Sequence, residues 1–227
     1  MCEKTNYLMS PIDEEANQLA VVEQTFEALA EDLRAAHAHT HLFLKLRKAI
    51  EEHQATMKGA PCFWSFTIQA HLQASVLSLC RLYDRNPNGL TLFNLLSTIK
   101  ELRELLTKEK YFERNRENVW KLGLIDNIRQ PSLEQLQFDL DQCNPEKNSS
   151  VRTLKIWRDK AIMHKDADSS KWTLSNPMAY ETLDGLQAMG FDTLNRYANQ
   201  LYGVQYEPVP SKRLDDYLGV FASIIKQ

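Results

Sequence analysis

The stretch Leu154-Lys155-Ile156-Trp157-Arg158-Asp159-Lys160-Ala161-Ile162-Met163-His164-Lys165-Asp166-Ala167-Asp168 carries both a helical signature and the chain's best candidate for chemistry. Leu154, Trp157, Ala161 and His164 recur at i, i+3, i+7 and i+10, which on a helix draws one nearly straight line ending in an imidazole. Three apolar residues thus aim a titratable group at a packed surface. Arg158 has Leu154 four positions before it and Ile162 four positions after it, so its guanidinium also has apolar neighbours. A permanent cation in that position requires an anionic partner.

Outward from this segment, composition points the same way. The chain has 227 residues, 43% hydrophobic and 25% charged, enough for one large globular domain or two small ones. Its 7 Gly and 8 Pro are too few for a protein of many short strands, and Leu, Ala, Glu, Gln and Lys fill the long windows. The fold class read from this is all-α. A net charge of −3 argues against a broad basic surface for gripping long duplexes. From Lys147 to Lys171, however, seven Lys or Arg stand against three Asp. That local surplus suits a phosphate-bearing ligand, or is simply a solvated helix face.

Cys2, Cys62, Cys80 and Cys143 show no Cys-x-x-Cys spacing and no nearby histidine, so free thiols in a reducing compartment are expected. The start, Met1 to Met9, lacks the apolar core of a secretion signal, and no run approaches the ~18 apolar residues that cross a bilayer. The expectation is a cytoplasmic protein with no membrane contact.

Ser10-Pro11 opens a helical pattern from about Asp13 to His53, with Leu19, Val22, Phe26, Leu29 and Leu33, then Leu42, Leu46 and Ile50, at helical spacing. An uncapped run of this length predicts two consecutive helices or one long bent one. Within it, His37 and His41 are four apart, but no HExxH pattern or suitably placed acid accompanies them, so no metal site is expected. The next helix, from Cys62 to about Arg85, has a continuous apolar face of Ile68, Leu72, Val76, Leu79 and Tyr83 and is expected to be central. Its second line, Phe63, Ala70, Ala74, Leu77, Arg81 and Asp84, ends in two charges that form either an intrahelical ion pair or part of a site wall.

After the Asn86-Pro87-Asn88-Gly89 turn, Thr91 to Leu106 reads as a short amphipathic helix. From Thr107 to Gln130, Tyr111, Phe112 and Trp120 alternate with basic residues, but Glu109, Glu113 and Glu117 cancel much of the charge. An ordinary amphipathic connection is the better reading of that segment than a stacking platform for single strands. A helix runs from Pro131 to Cys143, then the focal helix from about Ser149 to Lys165, and a polar loop from Asp166 to Ser175. Asn176-Pro177 caps a long helix to about Gly203, and Leu214, Tyr217, Leu218, Phe221, Ile224 and Ile225 mark a terminal amphipathic helix.

Trp157-Arg158-Asp159-Lys160-Ala161-Ile162-Met163-His164 resembles the signature of the HEPN superfamily, an Arg followed by a polar residue and, after four to six positions, a His. Five intervene here. The segment Cys80-Arg81-Leu82-Tyr83-Asp84, the helix order, and Arg-Asp-Lys ahead of Ala-x-x-His-x-Asp are similar to the abortive-infection branch of that superfamily. Spacing alone does not discriminate, since Arg34 with His39 or His41, and Arg47 with His53, satisfy the same rule. The polar residue after Arg158, the loop past His164 and the basic surroundings set this pair apart.

The resemblance implies an antiparallel helical bundle over residues 61–205; beside it, the sequence pattern gives residues 1–60 as a helical extension expected to pack on the bundle and 206–227 as a C-terminal helix. It also implies a homodimer with a composite cleft, RNA as substrate, no cofactor, and an antitoxin or other defence-system partner protein. Some family members carry a Tyr two residues after the His that a nucleotidyltransferase modifies, whereas here the position is Asp166, so silencing of that kind is not expected.

On one regular helix Arg158 and His164 would stand about 120° apart and about 9 Å along the axis, so a single copy makes half a site. Either the helix unwinds before His164 or two chains bring their helices together. RNA carries its own nucleophile in the 2′-hydroxyl, and histidine can take and return the protons while arginine holds the oxyanions. The candidate catalytic residues are therefore Arg158, His164 and Asp159, the last either orienting the other two or facing solvent. Arg81, Asp84, Lys160 and Lys165 are candidates for RNA contact or the site wall, and no metal is required. A catalytically idle HEPN-like module that binds nucleic acid or protein is the alternative, and a helical scaffold without a nucleic-acid role is the third reading.

Overall fold

The computed structural model describes residues 11–53, 59–163 and 180–210, and among them every regular element is helical. Helix α1 (Pro11–Glu52) is a single helix of 42 residues. Of the two expectations, consecutive helices or one long one, the single helix is found, because across the gap in the apolar repeat at the histidine run the buried stripe passes through Leu29, Leu33, Ala36, Thr40 and Phe43 at alternating intervals of four and three. Thr40, polar in the sequence, is one of the residues that carries the stripe across that gap. Its hydroxyl lies 2.7 Å from Ser75 Oγ and accepts a hydrogen bond of 2.7 Å from Gln187 Nε2, so the three buried groups satisfy one another.

Ser75 belongs to α2 (Pro61–Leu82) and Gln187 to α8 (Tyr180–Tyr202). Both run antiparallel to α1: Thr40 meets Ser75 while Asp32 meets Arg81, and Thr40 meets Gln187 while Leu19 meets Tyr202. Gly190 lets α8 approach closely, since a Cβ there would stand 2.7 Å from Leu33 Cδ2. Gly203, with φ of 66°, ends α8, and its N–H donates to Asn199 O at 3.0 Å.

Thr91 caps α3 (Leu92–Glu101) by accepting from Asn94 N, and a short 3-10 turn comes next at Arg103–Leu105. The weakly patterned connection contains two short helices, α4 (Lys108–Asn115) and α5 (Val119–Leu122). Tyr111 is buried and donates to Lys121 O at 3.1 Å, while Phe112 is half exposed and Trp120 nearly fully so. Ser132 caps α6 (Leu133–Gln142), and Asn148 caps α7 (Ser149–Trp157). One main core joins Phe26, Leu29 and Leu33 of α1 to Leu79 and Leu82 of α2, Leu96 of α3, Leu136 of α6, Leu154 of α7 and Leu183 of α8.

The expected loop from Asp166 to Ser175, the Asn176-Pro177 cap and the terminal helix from Leu214 lie outside the described residues. Among the described residues no helix is long and apolar enough to cross a membrane.

His39 and His71 face each other across α1 and α2 with their Nδ1 atoms 2.9 Å apart. One ring must then accept, so the contact needs at least one neutral imidazole. Burial holds both histidines below their ordinary range, and His39 lowers His71 further. Because the folded pKa values lie below the unfolded one, the unfolded chain binds protons first as pH falls. The contribution is therefore full above about pH 6.5 and is lost as pH drops below it. Thermal unfolding of wild type and His71→Gln, followed by circular dichroism from pH 7.5 to 5, should show a steeper fall in Tm for wild type; parallel curves would contradict this.

Candidate functional site

The site is assembled from the closed end of α7. Asn148 accepts from Ser150 N and Val151 N, and its Nδ2 donates to Gln142 O at 3.0 Å, which joins the α7 start to the α6 end. Arg152 donates to Pro145 O and Glu146 O, both at 2.9 Å, and so holds the intervening loop. Val151 and Leu154 sink into the core, Leu154 with 1% of its surface exposed, and Trp157 packs partly against it. Burial on the order of 2 kcal/mol per large aliphatic side chain fixes the rotation of this short helix. Arg158 is thereby placed one residue beyond the buried stripe, its side chain 25% exposed.

The regular helix expected to run on to Lys165 stops short. From Arg158 to Met163 the backbone is π-helical, so the regular α part ends at Trp157. His164 and Lys165 lie outside the described residues.

Arg158 Nε donates to Asp159 Oδ1 at 2.8 Å, and Nη1 stands 3.8 Å from Asp84 Oδ1. Asp159 above all, and Asp84 at longer range, hold the guanidinium above its ordinary range against the opposing effect of burial. Asp84 lies just past the end of α2, where its Oδ1 also accepts from Arg85 N at 2.9 Å. Tyr83 anchors that turn by donating to Leu186 O at 2.6 Å.

Between these elements lies a cleft with about 310 Å³ of open space, mouth included, walled by Cys80, Asp84, Arg85, Leu154, Lys155 and Arg158. Arg85 is held with its guanidinium carbon 4.4 Å from the centre of the Phe93 ring and Nη1 3.4 Å from Asn144 Oδ1. Three cations thus face one carboxylate around the cleft, with Asp159 attached to the third. The cations around the cleft can hold a phosphate at its mouth.

Of the residues singled out in the sequence, Arg158, Asp159 and Asp84 come together. Arg81 does not pair with Asp84; its Nε donates to Asp32 Oδ1 of α1 at 3.1 Å, and it does not line the cleft. Neither does Lys160 on the π segment. Sequence reasoning passed over Arg85 and left Lys155 inside the general basic surplus. Arg85 had a signal, since it directly follows Asp84 in a turn that must face the focal helix.

The AbiU2 family model of HEPN proteins matches residues 21–215, a span that takes in α2, the cleft, the π segment and His164. The chain belongs to that family. Membership makes it an all-α HEPN module of the abortive-infection, defence type. No curated protein and no solved structure matches the chain. The match spans the π-helical stretch Arg158–Met163 beside the cleft.

Cys80, on the cleft wall, is not a nucleophile in this HEPN domain. Burial, with Asp159 and Asp84 adding to it, pushes its thiol up to about 12 despite Arg158 nearby. Buried Cys143 is pushed up to about 12 as well, whereas Cys62 is exposed. Treatment of the native protein with iodoacetamide at pH 8, followed by peptide mass spectrometry, should label Cys62 and spare Cys80 and Cys143 until denaturant is added. Labelling of Cys80 at the rate of Cys62 would overturn this description of the cleft.

Proposed function

We propose that the protein is a metal-independent endoribonuclease of a defence or toxin system, with its site completed by a second copy of the chain. The observation that carries this reading is the placement of Arg158, which we take as the Arg of the HEPN signature, at a cleft lined by Arg85 and Lys155 where the helix turns π-helical. In the proposed reaction the 2′-oxygen of RNA attacks the adjacent phosphorus and the bond from phosphorus to O5′ breaks. The 2′-hydroxyl proton passes to His164 of one chain, and O5′ takes a proton from His164 of the other, leaving a 2′,3′-cyclic phosphate and a 5′-hydroxyl. Arg158 supplies donors to the phosphorane oxygens. Asp159 is the positioning residue that fixes the guanidinium plane. The cytoplasm, where RNA targets and any antitoxin partner reside, is the proposed setting.

One observation favours a second reading. Asp84 and Asp159 together neutralise much of Arg158, and their charge opposes an RNA phosphate. A catalytically idle HEPN module that binds nucleic acid or a protein partner would tolerate such compensation better than a nuclease.

The two readings separate in a cleavage assay on single-stranded RNA in excess chelator. The nuclease reading expects cyclic-phosphate ends from wild type, a rate lower by ~10²- to 10³-fold in Arg158→Ala, and no cleavage by His164→Ala. Equal cleavage by wild type and His164→Ala would remove His164 from the mechanism. Salt-sensitive binding without cleavage by any variant would leave the idle module.

A further inference from the structure

Arg85 belongs to two spaces at once. On one side it walls the cleft with Arg158 and Lys155. On the other it closes an open groove of about 970 Å³, mouth included, between Phe93 and Lys100 of α3 and Gln137 and Leu140 of α6, with Asn144 just beyond. Phe93 is half-buried and packs against the main core, so its ring is a fixed surface. The Arg85 guanidinium carbon lies over that ring, 4.4 Å from its centre, and Nη1 reaches Asn144 Oδ1 at 3.4 Å. Arg85 is exposed, and among the described residues no carboxylate pairs with its side chain. Its position is thus fixed by an aromatic face and a carboxamide while its charge is left uncompensated.

The rest of the groove is tied across its floor. Lys100 Nζ donates to Gln137 Oε1 at 3.1 Å, Gln137 Nε2 donates to Asp141 Oδ1 at 3.0 Å, and Lys147 Nζ donates to Asp141 Oδ2 at 2.7 Å. This relay links α3 to α6, and the Lys147 hydrogen bond above all holds the Asp141 carboxyl below its ordinary range. Glu101 also lines the groove. Its charge opposes a phosphate there and leaves an uncharged base unaffected. A phosphate therefore belongs at the cleft, and a base belongs in the groove.

We infer that the Arg85 and Phe93 pair is a stacking platform for one unpaired RNA base, the base next to the phosphate held at the cleft. A guanidinium donates hydrogen bonds in its plane and stacks across it, so with one face on Phe93 it keeps a second face for a base and its edge for the phosphate. A base inside a duplex has both faces covered by its neighbours, which makes the substrate a single strand or a loop. Purines cover more of such a platform than pyrimidines and are the preferred occupants. An apolar peptide side chain could lie on the same platform, but a groove that meets a cation-lined cleft at one shared side chain favours a base joined to a phosphate. This inference rests on the RNA reading of the cleft.

The test is fluorescence anisotropy with 2′-O-methyl strands of about six nucleotides, which lack the nucleophile and cannot be cleaved, carrying adenine, uracil or no base at every position. Each protein is compared with itself across the three strands, so a general loss of affinity cancels. Wild type should bind the adenine strand at least ~5-fold more tightly than the abasic one, with the uracil strand between them. Arg85→Lys keeps the charge and loses the plane, and Phe93→Leu removes the ring; each should bring the adenine-to-abasic ratio close to one. Circular dichroism verifies folding, and Arg85→Lys, on an exposed turn, decides the matter should Phe93→Leu unfold. A ratio close to one in wild type, or a wild-type ratio kept by Arg85→Lys, would overturn the platform and leave the nuclease reading standing. If wild type binds no strand at all, the RNA reading falls and this inference falls with it.

Discussion

A guanidinium held one residue beyond a buried helical stripe is the constraint around which this end of the molecule is arranged. Leu154 fixes the rotation of α7, and that rotation leaves Arg158 too close to the core to be solvated fully. A cation so placed needs carboxylates, and the fold supplies one from the next residue and one from the end of α2. The demand propagates outward. Asp84 can meet it only if the α2 end stays put, which Tyr83 secures through Leu186 of α8. The loop before α7 can keep Leu154 buried only if its carbonyls are satisfied, which Arg152 and Asn148 accomplish.

Most of the fold was legible because apolar spacing survives in a helical protein with few glycines. The central place of the second helix came from Val76, Leu79 and Tyr83, and all three are buried. The unbroken α1 was harder to read because Thr40 occupies a core position through hydrogen bonds to Ser75 and Gln187, residues 35 and 147 positions away. Periodicity counts apolar residues and cannot see a polar one paired at long range. The Arg81 to Asp84 reading failed for a related reason: one turn of separation made them neighbours, but Asp32 on another helix is the partner of Arg81.

At the site, the need of Arg158 for an anion was readable from its neighbours, although which carboxylate would meet it was not. The π-helical widening had no signature in Arg158 to Met163 that spacing could reveal. It matters because the regular helix on which Arg158 and His164 were placed ends at Trp157. The cleft also has a restrained electrostatic character. Arg85 and Lys155 add positive charge at the mouth, while Asp84 and Asp159 limit the attraction for any passing polyanion.

Central to the proposed mechanism is a site shared between two identical chains, each giving a histidine. It is tested most directly by letting wild-type chains exchange with increasing amounts of His164→Ala chains at constant total protein and measuring RNA cleavage. If each site needs His164 from both chains, activity falls as the square of the wild-type fraction. A fall linear in that fraction would mean that each chain works alone, and would contradict the shared site.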